Sequence, residues 1–165
     1  WLGRPCQYVR DAACEPADWT THRFSKEAVA MTNAAVSALL SRAGAERVVL
    51  VGWSGGGVMA ALVAARREDV AGLVTIAAPL DVAAWTRSRG LSPLQGLDPA
   101  DLPPISAPQV HLTGAFDAIV RPAVVKETAR RLAGPQGQVA TWPERHDCCW
   151  VARADEIAAG LASQP

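Results

Sequence analysis

The sequence predicts an α/β fold: one domain over residues 1–165, built on a doubly wound, mostly parallel sheet. Two observations carry that prediction. Short, branched apolar runs of strand length alternate with segments of helical periodicity from Ser25 to Leu161. The strand-like runs close on Gly or Pro turns, and the connections are long enough for right-handed helical crossovers. No internal repeat or low-complexity tract interrupts the alternation.

The elements follow in order. Ser25 stands as an N-cap with Glu27 in the first turn, and Val29, Val36, Leu39, Leu40 and Ala43 recur at helical spacing until Gly44. Arg47 to Gly52 is an unbroken apolar run, the pattern of a strand covered on both faces. Trp53 to Gly57 makes a turn, and Val58 to Ala65 is apolar nearly all round, as in a buried helix. Val70 to Ala77 is a second buried strand, closed by Ala78-Pro79, and Asp81 to Arg89 suits a short helix. From Gly90 to Pro108 prolines stand at 93, 99, 103, 104 and 108, which predicts an irregular excursion over the sheet's edge that can wall a pocket. Gln109 to Gly114 is the next strand, Pro122 to Leu132 a helix, Gln138 to Trp142 the last strand and Cys149 to Leu161 a closing helix.

Composition bounds the function. The chain has 165 residues, half of them hydrophobic, and a chain of that size buries roughly 70% of its unfolded surface. Sixteen basic residues balance 16 acidic ones, so the basic excess that nucleic acid or an anionic membrane surface requires is missing. The basic residues are almost all Arg, with only Lys26 and Lys126, and Ala dominates, which reflects GC-rich codon usage rather than function. The longest apolar run, Val70 to Trp85, is broken by Pro79 and Asp81 and falls short of the roughly 20 residues of a membrane span. A soluble chain is expected. It opens on Trp1 without Met or a signal-like segment, which suggests a mature or truncated piece.

The four cysteines form no C-x-x-C pair, and His146 is the only histidine near any of them, so no metal site is predicted. Cys6 and Cys14 flank a short polar loop; a bridge there would contribute ~2 to 3 kcal/mol and imply an oxidising compartment. Their spacing suits two reduced thiols equally well. Cys148 and Cys149 are adjacent, where a bond is sterically awkward, and are expected to pack as small hydrophobes.

Gly52-Trp53-Ser54-Gly55-Gly56 fits G-x-S-x-G between a strand and a helix. A serine nucleophile must project from a tight turn, so Gly52 and Gly56 are read as the positions without bulk. Ser54 then stands at the positive end of a helix, with the Gly55 N–H where an oxyanion develops. An acid and a histidine should follow on loops after later strands. Asp117 follows the strand ending at Gly114, and His146 follows the strand ending at Trp142. All three loops leave carboxyl ends of parallel strands, so they converge in one crevice. His146 would accept the Ser54 proton, and Asp117 would orient the imidazole. Asp81, also after a strand, is a competing acid; Asp147 is too close to His146 to reach its ring and suits a cap or a solvated charge. His111 is expected as a satisfied strand residue and His22 as an exposed one. Trp53 is a candidate pocket residue, and Arg4 a contact of the site or a brace for Asp18.

The segments Gly52 to Gly57, Gly114 to Val120 and His146 to Trp150 together resemble the α/β-hydrolase superfamily. With the opening Leu2-Gly3-Arg4-Pro5-Cys6-Gln7-Tyr8, they resemble a bacterial branch whose members are often exported or lipid-anchored. The resemblance implies an eight-stranded parent fold, a Ser54/Asp117/His146 triad, no cofactor, and hydrolysis of an ester, thioester or amide of a small-molecule acyl substrate. It also favours pairing of Cys6 with Cys14 and export to the periplasm, envelope or medium. The superfamily places several strands and a helix before its nucleophile strand, one of them ending in the loop that donates a second oxyanion N–H, and only 24 loop-like residues precede the Ser25 helix here. The chain is therefore expected to be the C-terminal part of a longer protein, with Gly3 and Arg4 the only nearby substitutes for that donor. The same triad can serve acyl transfer or perhydrolysis, and a non-catalytic envelope or binding protein can keep the fold.

Overall fold

In a computed structural model of the chain, residues 2–10 and 12–162 are described; Trp1, one of the two grounds for expecting a truncated piece, lies outside them. The elements are α1 (Pro16–Trp19), α2 (Lys26–Ala43), β1 (Val48–Trp53), α3 (Gly55–Ala64), β2 (Val70–Ile76), α4 (Val82–Ser88), β3 (Gln109–Gly114), α5 (Pro122–Ala133), β4 (Gln138–Trp142) and α6 (Ala154–Ala162), with 3-10 turns at Pro99–Asp101, Gly134–Gln136 and Trp150–Arg153. The four strands form one parallel sheet in the order β1-β2-β3-β4. Consecutive strands are neighbours, each joined by a helical crossover, as the alternating pattern requires.

Local chemistry sets the element ends. Ser25 Oγ accepts the Ala28 N–H at 3.1 Å to open α2, and Gly44, left-handed at φ 62°, closes it. Asp81 accepts the Ala84 N–H at 2.7 Å and so caps α4, and Pro122 opens α5 where its missing N–H is harmless. The closing helix is shorter than its sequence pattern suggests, because a 3-10 turn at Trp150–Arg153 precedes α6.

The sheet is covered on two faces. On one face Val70 and Leu73 of β2 pack with Ala61 and Ala64 of α3 and with Val125, Ala129 and Leu132 of α5. On the other, Val74, Ile76, Val110 and Leu112 pack with Trp150 and with Ile157 of α6. β1 departs from expectation. Val51 pairs with Val74 and Trp53 with Ile76, so they share the α6 face, but α6 lies over β2 and β3. Val49, Val51 and Trp53 are consequently 48%, 61% and 49% exposed, and among the described residues β1 is an outer strand covered on one face.

Residues 90–108 carry one 3-10 turn, at Pro99–Asp101, and the segment is anchored by backbone hydrogen bonds. Gly96 bridges Phe24, the Leu97 N–H donates to Phe24 O at 2.9 Å, and the Gln95 N–H donates to Thr21 O at 2.7 Å. Ile105 is buried in the core beside Leu132. Arg131 of α5 donates to the carbonyls of Leu102, Pro99 and Ala100.

Cys6 is bonded to Cys14, with Cα atoms 5.5 Å apart, closing the loop that follows Arg4. The expectation for the other pair is corrected: Cys148 is bonded to Cys149, and both are exposed, so neither serves as a small core hydrophobe. Among the described residues no helix is long and apolar enough to cross a membrane.

Candidate active site

β1 ends at Trp53 and α3 begins at Gly55, leaving Ser54 alone to reverse the chain. Its φ of 53° and ψ of −126° lie where residues with a β-carbon are rare, the strained turn a projecting nucleophile needs. The turn is held by the Ser54 N–H on Ile76 O at 2.8 Å and the Gly57 N–H on Ser54 O at 2.9 Å. Tightness comes from close approach. A β-carbon at Gly52 would overlap the Gly56 carbonyl oxygen and stand 2.6 Å from Gly57 Cα, and one at Gly57 would stand 2.6 Å from Ala78 Cβ. Gly56 has open space around it, so the bulk-free pair is Gly52 and Gly57 rather than Gly52 and Gly56.

Asp117 and His146 meet Ser54 at the carboxyl edge of the sheet. The Asp117 carboxylate has no exposed surface; its Oδ1 accepts the N–H groups of Ile119 and Val120 at 2.8 and 2.7 Å, and its Oδ2 accepts His146 Nδ1–H at 2.8 Å. A carboxylate acceptor puts the imidazole proton on Nδ1 and leaves Nε2 as an acceptor. Ser54 Oγ lies 3.1 Å from that Nε2. The two loops are tied together, since the Phe116 N–H donates to Glu144 O at 3.1 Å and the Ala115 N–H to Trp142 O at 2.7 Å.

Further groups brace the histidine in a way its sequence neighbourhood does not reveal. The His146 carbonyl accepts Trp53 Nε1–H at 2.9 Å and Trp150 Nε1–H at 3.2 Å, and the Trp53 ring lies 5.0 Å from the imidazole. Trp53, expected as a pocket wall, thus buttresses the His146 loop. The Gly55 N–H is the first of α3 and has no intrahelical acceptor by geometry, so it is free to meet an anion at the positive helix end.

The competing candidates lie elsewhere. Asp81 is committed to its cap, and Asp147 is exposed, 3.9 Å from Arg145. His111 is fully buried and bonded to Thr75 at 2.8 Å and Gln109 at 3.1 Å; burial pushes its pKa down to about 4. His22 contacts the Thr21 hydroxyl at 2.9 Å. Arg4 does not brace Asp18, whose carboxylate accepts the Glu15 N–H at 2.8 Å, but lies against Gly55. Among the described residues no three His, Cys, Asp or Glu side chains gather to hold a metal.

The family model described as the alpha/beta hydrolase fold matches residues 9–127, a span that includes Ser54 and Asp117 and ends before His146. The chain belongs to the α/β-hydrolase family. An esterase from Pyrococcus furiosus is structurally similar at TM-score 0.67 and 15% identity, over 84% of this chain and 63% of that one. A monoacylglycerol lipase from Paleococcus ferrophilus follows at TM-score 0.62 and 18% identity, over 82% of this chain and 75% of that one. An esterase from a Rhodococcus species aligns at TM-score 0.58 and 18% identity, over 79% of this chain and 70% of that one. At these identities the likeness is one of α/β-hydrolase fold, and the chain spans under two thirds of the Pyrococcus esterase. No curated protein sequence matches the chain.

Proposed function

We propose that this α/β-hydrolase chain carries a serine hydrolase site that cleaves an ester, thioester or amide through an acyl-enzyme. The observation that supports it is the continuous hydrogen-bonded line from Ser54 Oγ through His146 to Asp117, with gaps of 3.1 and 2.8 Å. In this reading His146 Nε2 takes the Ser54 proton as Oγ attacks the substrate carbonyl. The tetrahedral oxyanion is met by the Gly55 N–H and the positive end of α3. The imidazolium, stabilised by the buried Asp117, then protonates the leaving group. Water enters by the same route in reverse and releases the acid.

The test is a rapid-mixing assay with a 4-nitrophenyl ester. An acyl-enzyme predicts a burst of nitrophenol approaching the protein concentration wherever deacylation is the slower step, and Ser54→Ala abolishes both burst and turnover. Turnover undiminished in Ser54→Ala would end the proposal. The Cys6–Cys14 bond supports a further part of the reading, residence in an oxidising compartment such as the periplasm, envelope or exterior of a bacterium. Fractionation of the source cells would find the chain outside the cytoplasm, and a cytoplasmic pool with reduced Cys6 and Cys14 would contradict it.

A further inference from the structure

The Arg4 guanidinium packs on the turn that carries Ser54. A β-carbon at Gly55 would stand 3.4 Å from Arg4 Nη1, 3.7 Å from its Cζ and 3.6 Å from Phe24 Cζ. Arg23, the neighbour of Phe24, brings a second half-buried guanidinium close enough for its charge to act on Arg4. Arg23 Nε–H donates to Thr20 O at 2.9 Å. Among the described residues no Asp or Glu pairs with either arginine, and the Arg4 guanidinium has no hydrogen-bond acceptor. Burial holds both below the ordinary arginine range; at Arg4 the charge of Arg23 adds to that effect and the nearby Tyr8 phenol opposes it in smaller part. The N-terminus of α3, a helix of 10 residues, contributes further positive potential at the same turn.

An arginine that only braces a fold spends its donors on carboxylates or carbonyls, as Arg67 does on Asp69 and Asn33. Arg4 spends none. Half-buried cations with no carboxylate partner among the described residues, beside the serine turn, call for an anion, and the planar guanidinium fork matches a carboxylate in two parallel hydrogen bonds. The Cys6–Cys14 bond closes the loop directly after Arg4-Pro5 and restricts the segment that presents the guanidinium.

We infer that Arg4, supported by Arg23, is a specificity residue that binds a carboxylate carried within a few bonds of the scissile carbonyl, so that the preferred substrates are acidic monoesters or their amide counterparts. This rests on the reading of Ser54 as nucleophile. A developing oxyanion, already met by the Gly55 N–H, would call for one further donor, whereas two guanidiniums with no carboxylate partner among the described residues suit a full charge already present in the bound substrate.

The experiment uses a pair of esters of similar size, monomethyl succinate with a free carboxylate and methyl butyrate without one. Binding is measured by calorimetry on the Ser54→Ala chain, where turnover cannot interfere, and kcat/KM is measured on the chain with Ser54. The expected result is at least tenfold tighter binding of monomethyl succinate and a matching kcat/KM preference. Arg4→Ala should remove both preferences, Arg4→Lys should retain part, and Arg23→Ala should weaken them, each with an unchanged far-ultraviolet spectrum. Equal or undetectable binding of the two esters overturns the inference, as does a preference that survives Arg4→Ala. An equal loss of kcat on both esters in Arg4→Ala, with no change in preference, also overturns it and assigns Arg4 to the oxyanion. Because the binding arm needs no chemistry at Ser54, an inactive parent chain that still selects the carboxylate in an Arg4-dependent way would fail the nucleophile reading and not this one.

Discussion

Acidification should destabilise this fold through His111, and the size of the effect follows from its surroundings. Gln109 Nε2 spends both protons on the carbonyls of Ile105 and Leu132, at 2.7 and 2.8 Å, so its Oε1 is left to accept His111 Nε2–H at 3.1 Å. His111 Nδ1 then accepts the Thr75 hydroxyl at 2.8 Å. The neutral imidazole is fully satisfied, and a proton added to it would be charged inside a core with no acid among its hydrogen-bond partners. Burial accordingly lowers its pKa from 6.5 to about 4. In the unfolded chain the group titrates at its ordinary value, so between those two pH values the unfolded state binds the extra proton. The stability that neutral His111 contributes is present above pH 6.5 and is lost as pH falls toward 4. At 1.36 kcal/mol per pH unit the loss is about 3 kcal/mol, and with an m-value of about 2 kcal/mol/M the urea midpoint should fall by about 1.5 M. Urea unfolding at a series of pH values, on the parent and on His111→Asn, isolates this contribution from other titrating groups. A parent and variant whose stabilities fall in parallel over that range would refute the argument.

Three further outcomes are expected. Asp117→Asn keeps an oxygen for the Ile119 and Val120 N–H groups but can turn an amide N–H toward His146 Nδ1, favouring the wrong tautomer, so kcat on a 4-nitrophenyl ester should fall by about 10⁴ with melting temperature little changed; an undiminished kcat would contradict it. Gly52→Ala forces a β-carbon into the Gly56 carbonyl and should lower stability by about 3 kcal/mol or more, read by urea unfolding, whereas Gly56→Ala, which meets open space, should be well tolerated. Replacing Cys6 and Cys14 together by Ser should cost ~2 to 3 kcal/mol of stability, measured against the oxidised parent.

Where sequence and structure agree, the information is local. The α2 caps, the bounds of β3 and β4, and the Ser54 turn are each specified by a few adjacent residues whose backbone needs are distinctive. The preference for Asp117 over Asp81 also follows from local pattern, a Gly turn before it and a Pro-led helix after it, and the structure pairs Asp117 with His146 while Asp81 caps α4. Where they differ, a partner distant in sequence decides. The branched run of β1 looks buried on both faces, yet its exposure depends on what lies beside it, which no property of Val49 or Val51 encodes. Gly57 rather than Gly56 meets the sheet because Ala78 comes up beneath it from the end of β2. Arg4 reaches Gly55, and Trp53 reaches the His146 carbonyl, across chain separations that periodicity does not span. Cys148 and Cys149 are exposed, a placement that their small apolar side chains do not encode.

The central claim is that Ser54 is a nucleophile activated by His146. Its most direct test is reaction of the intact chain with a fluorophosphonate, followed by intact mass measurement and peptide mapping. One adduct per chain is expected on the peptide bearing Ser54, none in Ser54→Ala, and labelling slowed at least a hundredfold in His146→Ala. No adduct on the folded chain, or labelling that persists in Ser54→Ala, would contradict it.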